Sequence, residues 1–149
     1  YLISKADYQH INKRSIVHTY DILFSMIGTL GLTYLEQSKN IDYAIKNIGL
    51  FKTSQNKKWV YYTYLWLVGT QGKNYVSCNK SGSTQEYMSL TSLRGIVCCN
   101  PSEKILSLFN ELVEPLFKKI HINTVEIQTL EKIRDALLPK LMSGNIRVN

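Results

Sequence analysis

Apolar positions along this chain follow two rhythms, and the change between them falls near Pro101. Asp21-Ile-Leu-Phe-Ser-Met-Ile27 is an almost unbroken apolar run closed by Gly28-Thr-Leu-Gly31. Such a run predicts a buried strand ended by a glycine turn. Tyr43 to Thr53 predicts one or two further strands, broken at Gly49. The aromatic segment 55–68 has high β-propensity, yet Ser54 can cap a helix and Gly69 or Gly72 can end one, so a helix is expected there. Ile96 to Cys99 reads as a short late strand leading into Pro101.

Beyond Pro101 the period lengthens. Seven-residue steps from Leu106 reach Val113, Ile120, Ile127, Arg134 and Leu141, and steps from Phe109 reach Leu116, Asn123, Leu130 and Leu137. Nine of these eleven positions are apolar, Asn123 and Arg134 being the exceptions. A stripe this narrow and sustained suits a coiled-coil seam, with a helix packed on its own domain as the alternative. Asn123 within the seam points to a defined partner and register, because an unpaired polar group there is costly. Ser102 and Glu103 give the helix a start, Pro115 should kink or interrupt it, and Pro139 and Gly144 should end it. The expected architecture is therefore a mixed α/β (α+β) globular domain over 1–101, followed by a helical arm over 102–149 that forms a coiled coil.

Composition sharpens this division. All ten Tyr, both Trp and seven of eight Gly precede Pro101. The 44% hydrophobic and 19% charged content is that of an ordinary folded protein. The apolar run Trp59 to Val68 is too short to span a bilayer, and no basic, apolar leader opens the chain. Its start at Tyr1 rather than Met suggests a piece of something larger. The net charge of +7 is uneven: residues 1–102 hold 11 Lys/Arg against 5 Asp/Glu, and residues 103–149 hold 7 against 6. The basic excess thus sits in the N-terminal part, where it would attract polyanions, although mild basicity also serves solubility alone. Cys78, Cys98 and Cys99 make neither a disulfide framework nor a metal-ligand spacing, and are expected to be small buried thiols in a reduced cytoplasm.

Motifs of catalysis are absent. The chain has no GxGxxG and no GxxxxGK[ST] phosphate loop. Asn100-Pro101 starts like the Asn-Pro-Pro-aromatic motif of adenine methyltransferases, but Ser102 and Glu103 break it, and no acidic residue has a Lys two positions on. His10, His18 and His121 lack ligand spacing, leaving a His10/His18/Asp7 grouping as the one open arrangement. The expectation is a protein without catalysis, metal or cofactor of its own.

Three stretches carry a resemblance. Asp21-Ile-Leu-Phe-Ser-Met-Ile-Gly28-Thr29-Leu-Gly31 resembles the strand-and-turn signature of target recognition domains in the specificity subunits of type I restriction-modification systems. Gly82-Ser-Thr-Gln-Glu-Tyr-Met-Ser-Leu90, followed by Leu93 and Ile96, resembles their second signature, a Gly-Ser-Thr-Gln loop leading into a strand and a short turn. Leu130 to Val148 resembles the end of such a subunit's C-terminal helical conserved region. The departure is at Pro101-Ser-Glu-Lys, where the family often has a longer proline-rich run with Glu-Gln, so the domain–arm junction differs.

That resemblance implies a C-terminal half of a subunit whose two recognition domains each read half of a split DNA site. Its helices would dock modification (methyltransferase) subunits, which bind S-adenosylmethionine, while cleavage and translocation belong to a restriction subunit. A second helical arm, from the same subunit or a homodimer, would complete the coiled coil through Leu106, Phe109, Val113, Leu116, Ile120, Asn123, Ile127, Leu130 and Leu137. Within a basic, aromatic-rich domain, Lys and Arg can meet phosphates and polar side chains can meet base edges of double-stranded DNA. The expected DNA contacts are Lys13, Arg14, Lys57, Lys58, Lys73 and Lys80, with Ser83, Thr84 and Gln85 in the loop. Gln85 can pair bidentately with adenine and Arg14 with guanine; alternatively Gln85 ties the loop internally and the glycines only shape turns. The reading from another class is a coiled-coil adaptor whose globular part binds protein.

Overall fold

The computed structural model describes residues 3–146. It divides into two units, Tyr1–Asn110 and Glu111–Asn149. The first is a mixed α+β unit. Helix α1, Lys5–Ser15, carries no fully buried residue and owes its ends to local chemistry. Ser4 Oγ accepts from the Asp7 amide at 3.1 Å, and Asp7 in the first turn and Lys13 and Arg14 in the last complement the helix dipole.

Three strands follow, β1 at Ile22–Ser25, β2 at Thr33–Leu35 and β3 at Ile48–Phe51, in an antiparallel sheet ordered β2-β1-β3. The expected buried strand is the central one. Ile22 and Phe24 face the core, opposite Leu35 and Thr33 on one side and Phe51 and Gly49 on the other. It ends in the expected turn: Gly28 and Gly31 both adopt positive φ, of 74° and 80°, a region open to glycine at little cost. Gly49 does not break a strand, contrary to expectation; it lies inside β3, buried, where a Cβ would collide with Leu93 and press on Met26. Glycine there is a packing requirement.

Two 3₁₀ turns, Thr53–Gln55 and Lys57–Trp59, lead into helix α2, Val60–Val68. The aromatic run is helical as expected because Val60, Tyr61 and Leu67 reach the core, and burial overrides its β-propensity. Ser54 caps nothing: its amide donates to Asp21 Oδ1, and the helix starts after Trp59 without a side-chain cap. Gly69 terminates α2 and opens helix α3, Thr70–Asn79. A short helix α4, Leu90–Arg94, is capped by Ser89 Oγ on the Ser92 amide and inserts Leu93 into the core. Ile96 to Cys99 is not a strand; it is irregular, and Cys99 offers its carbonyl to the Tyr62 hydroxyl at 2.8 Å. All three cysteines are exposed rather than buried.

Helix α5 spans Glu103–Met142. Ser102 Oγ faces the Ile105 amide at its start. Its first turns belong with the first unit: Leu106 is buried, Phe109 meets the Tyr62 ring edge-on at 6.2 Å, and Asn110 Nδ2 donates to the Lys58 carbonyl. Pro115 does not interrupt the helix and Pro139 does not end it; termination falls at Gly144, with φ of 73° and its amide on the Leu141 carbonyl. In the second unit the apolar side chains are mostly exposed, and they extend beyond the two heptad positions to Leu112, Ile122, Val125 and Ile133. Of the stretch Leu130 to Val148, the last two residues lie outside the described residues. Among the described residues no helix is long and apolar enough to cross a membrane.

Candidate nucleic-acid interface

The two signature-like stretches of the globular unit, far apart in sequence, pair with each other. Ser81 and Tyr87 exchange backbone hydrogen bonds of 2.9 and 2.8 Å, closing a tight hairpin around residues 82–86. Tyr87 also bridges to Ile27, the Gly28 amide donates to the Glu86 carbonyl, and the Met88 amide donates to the Met26 carbonyl. The Gly28–Gly31 turn and the Gly82–Gln85 loop therefore form one surface. The expected strand after Gln85 is reduced to these isolated bridges before α4 begins. Gly82 has φ of 94°, and a Cβ on it would run into the Gln85 carbonyl oxygen, so glycine is what lets this loop close. Gly31 packs on Val76 of α3, which sets that helix beside the turn.

All nine residues expected to touch DNA are exposed, and they fall into two groups. Ser83, Thr84 and Gln85 occupy the hairpin tip, with Lys80 immediately before it and Lys73 further back on α3. Gln85 makes no side-chain hydrogen bond among the described residues, which goes against an internal tie for it. Lys80 pairs with Glu86 across the hairpin. In the second group Lys13 and Arg14 end α1 and have no acidic partner among the described residues. Lys57 and Lys58 lie in the second 3₁₀ turn, Lys58 within 3.5 Å of Glu103. No hydrogen bond or ion pair among the described residues joins the two groups.

Beside the second group lies a network that sequence reasoning did not anticipate. Asp21 is fully buried, and its Oδ2 accepts from Lys52 Nζ at 2.6 Å and from the His18 amide at 2.8 Å. Its Oδ1 accepts from the Ser54 amide. Burial pushes this carboxyl up, but the Lys52 ammonium and the Ser54 and His18 donors outweigh it and hold the carboxyl below its usual range. Lys52 Nζ also donates to the Ile16 carbonyl at 2.8 Å and lies 2.9 Å from His18 Nδ1, so all three of its protons are engaged. Between His18 and Asp21 the chain is strained: Tyr20 has φ of 75°, a conformation that costs a non-glycine residue about 1–3 kcal/mol. Its amide is fixed on the Glu36 carbonyl at 2.6 Å and its carbonyl accepts from Thr53 Oγ1. Lys57 Nζ stands 5.2 Å from the centre of the Tyr20 ring.

Glu36 forms the other buried acid site. It accepts from the Tyr43 hydroxyl and from the Ser38 amide. Burial raises its carboxyl, and these donors more than reverse that, leaving it below the usual range; the Tyr43 hydroxyl is pushed up by its own burial and by Glu36. Both carboxylates are structural in their contacts. His10, His18 and Asp7 do not gather, and no metal-holding group of His, Cys, Asp and Glu occurs among the described residues. In the second unit Ile120 and Ile127 are 57% and 55% exposed, and Leu116, Asn123, Leu130 and Leu137 are exposed with them. Leu106 and Phe109 pack inside the first unit, and Val113 is half-buried.

No protein-family model matches the chain. Over 67 residues, 45% of its length, it is 45% identical to 16% of the type I restriction enzyme MjaIX specificity subunit of Methanocaldococcus jannaschii. Over 143 residues, 95% of its length, it is 27% identical to 30% of the type I restriction enzyme HindI specificity subunit of Haemophilus influenzae. The matched residues thus cover less than a third of the length of either relative.

Proposed function

We propose that this chain, a relative of the specificity subunits of type I restriction enzymes, reads part of a split DNA site for such a complex and performs no chemistry itself. The observation that carries this reading is the match to the Haemophilus influenzae subunit, which runs through both the globular unit and the helix in one order. The joined Gly28–Gly31 and Gly82–Gln85 surface supports it, with polar side chains at a hairpin tip and lysines behind them. Residues 1–101 act as the target recognition domain. Ser83, Thr84 and Gln85 approach base edges, while Lys13, Arg14, Lys57, Lys58, Lys73 and Lys80 approach phosphates.

The helical segment 102–149 pairs with a second helical arm and docks methyltransferase subunits, its exposed apolar side chains providing the surface. S-adenosylmethionine then belongs to the methyltransferase and cleavage to a restriction subunit, in the cytoplasm where such complexes meet DNA. Selection of bound sequences from a random duplex library, with the full subunit and its methyltransferase partner, should return a bipartite motif. Alone, the chain should shift random duplex weakly, with a dissociation constant of roughly micromolar or above at physiological salt, and more strongly at low salt. An affinity that does not change with salt favours the protein-binding adaptor and refutes DNA reading.

A further inference from the structure

Tyr20 sits at a left-handed corner of the chain, with φ of 75°. A left-handed tyrosine persists only where its surroundings over-determine it, and such residues collect at binding sites. Here the surroundings do so: both backbone groups of Tyr20 are tied, and the buried Asp21 anchors the next residue to Lys52, Ser54 and His18. The two lysines of this corner differ in kind. Lys52 has every proton engaged inside the protein. Lys57 has no carboxylate partner among the described residues, and it is held over the Tyr20 ring with its ammonium available to an anion. His18, with its side chain 55% exposed, has Nδ1 2.9 Å from Lys52 Nζ, and its other ring nitrogen is within the same exposed corner.

We propose that His18, Tyr20 and Lys57 form a phosphate-contacting corner for duplex DNA, and that Asp21 and Lys52 are its positioning residues. This rests on the DNA-reading function above. The buried pair joins the segment 16–21 to the 3₁₀ turns 53–59, and so sets the Tyr20 ring beneath Lys57. Asp21 therefore serves an anion-binding corner although it is itself an anion.

That sign gives the test. Binding of the full chain to a fluorescein-labelled duplex of random sequence is followed by anisotropy across a salt series, with the folded fraction checked by circular dichroism. Lys57→Met should reduce the slope of log affinity against log salt by about 0.9, one phosphate contact, without altering the melting temperature. Asp21→Asn removes a negative charge and by electrostatics alone would tighten binding; the positioning role predicts weaker binding by the folded protein. In the double variant Asp21→Asn/Lys57→Met the slope should fall no further than in Lys57→Met, since Asp21 acts through Lys57. A wild-type slope in Lys57→Met, or tighter binding by Asp21→Asn, overturns the proposal. Lys57 is exposed, so its variant decides the question even if Asp21→Asn does not fold. A wild-type chain without salt-sensitive binding refutes the DNA reading as a whole, whereas a steep wild-type slope untouched by Lys57→Met removes this corner alone.

Discussion

Replacing Gly82 and Gln85 one at a time separates the scaffold of the hairpin from its reading surface. Gly82→Ala puts a side chain at φ of 94° and a Cβ against the Gln85 carbonyl oxygen. The left-handed backbone alone costs about 1–2 kcal/mol. Relief of the clash opens the loop and threatens the two Ser81–Tyr87 backbone bonds, each worth about 1 kcal/mol. The expected loss is about 2–4 kcal/mol, or a fall of roughly 10 °C in melting temperature for a domain of this size. Gln85→Ala removes an exposed side chain without an internal hydrogen bond, so stability should change by no more than about 0.5 kcal/mol. In the selection assay Gln85→Ala should instead relax preference at one base position by about 1–3 kcal/mol. Thermal melting followed by circular dichroism, together with sequence selection on the same two variants, makes the comparison. A Gly82→Ala protein that melts with wild type would refute the close-approach argument. A destabilised Gln85→Ala with unchanged preference would make Gln85 a structural residue and remove it from the interface.

Three other outcomes follow from the same geometry. Ile127→Asp places a charge on an exposed helical face, so the globular unit should melt unchanged while association through the helix is lost in analytical ultracentrifugation with the methyltransferase subunit; collapse of the whole melting transition would mean that this face packs on the domain. Leu106→Ala, at a buried position of the same helix, should destabilise the globular unit by about 2–5 kcal/mol in denaturant titration, and a neutral result would detach the first turns of α5 from the core. Asp21 and Glu36 are held below the usual carboxylate range in the folded chain, so their contribution is complete above an unfolded value of about 4 and disappears as the pH falls through the folded values. Melting temperature should therefore drop as the pH is lowered below about 4, and Glu36→Gln should flatten that drop while lowering stability at neutral pH.

Where burial and turn chemistry agreed, the sequence was readable. Ile22 to Ile27 is apolar but for Ser25 because β1 is the central strand, and Gly28, Gly31 and Gly69 stand where the chain turns or a helix stops. Glu103–Met142 was legible because apolar residues recur at seven-residue steps from Leu106 to Leu141. The failures have specific causes. Helix α1 buries no residue, so it has no apolar rhythm, and the Ser4/Asp7 cap was the one available signal. Gly49 looked like a breaker because its neighbour Leu93 is distant in sequence and meets it only in the fold. Ile96 to Cys99 has strand-like composition, yet it pairs with no strand among the described residues and leads irregularly into Pro101. The Asp21–Lys52 pair was invisible because nothing local marks which of nine lysines and two arginines before Glu103 turns inward.

The inward turn of Lys52 limits the electrostatic term in binding. Of the six basic residues assigned to DNA, Lys13, Arg14, Lys57 and Lys73 have no acidic partner among the described residues, while Lys58 and Lys80 face Glu103 and Glu86. The latter two pairs are well exposed, and exposed pairs are weak, about 0–1 kcal/mol, so a phosphate can replace either glutamate. Lys52 cannot leave its site without stranding a buried carboxylate, at a cost of several kcal/mol. The globular unit should accordingly release counterions from four to six phosphates, giving a salt slope between about −3.6 and −5.4. A slope near −1 would mean that the two lysine groups do not face one duplex together, and it would confine DNA contact to a single group. A slope steeper than about −6 would bring in basic residues outside this set, of which Lys5, Lys39, Lys46 and Arg94 are exposed. Charge-removing variants at those four positions would then identify the missing contacts, one unit of slope at a time.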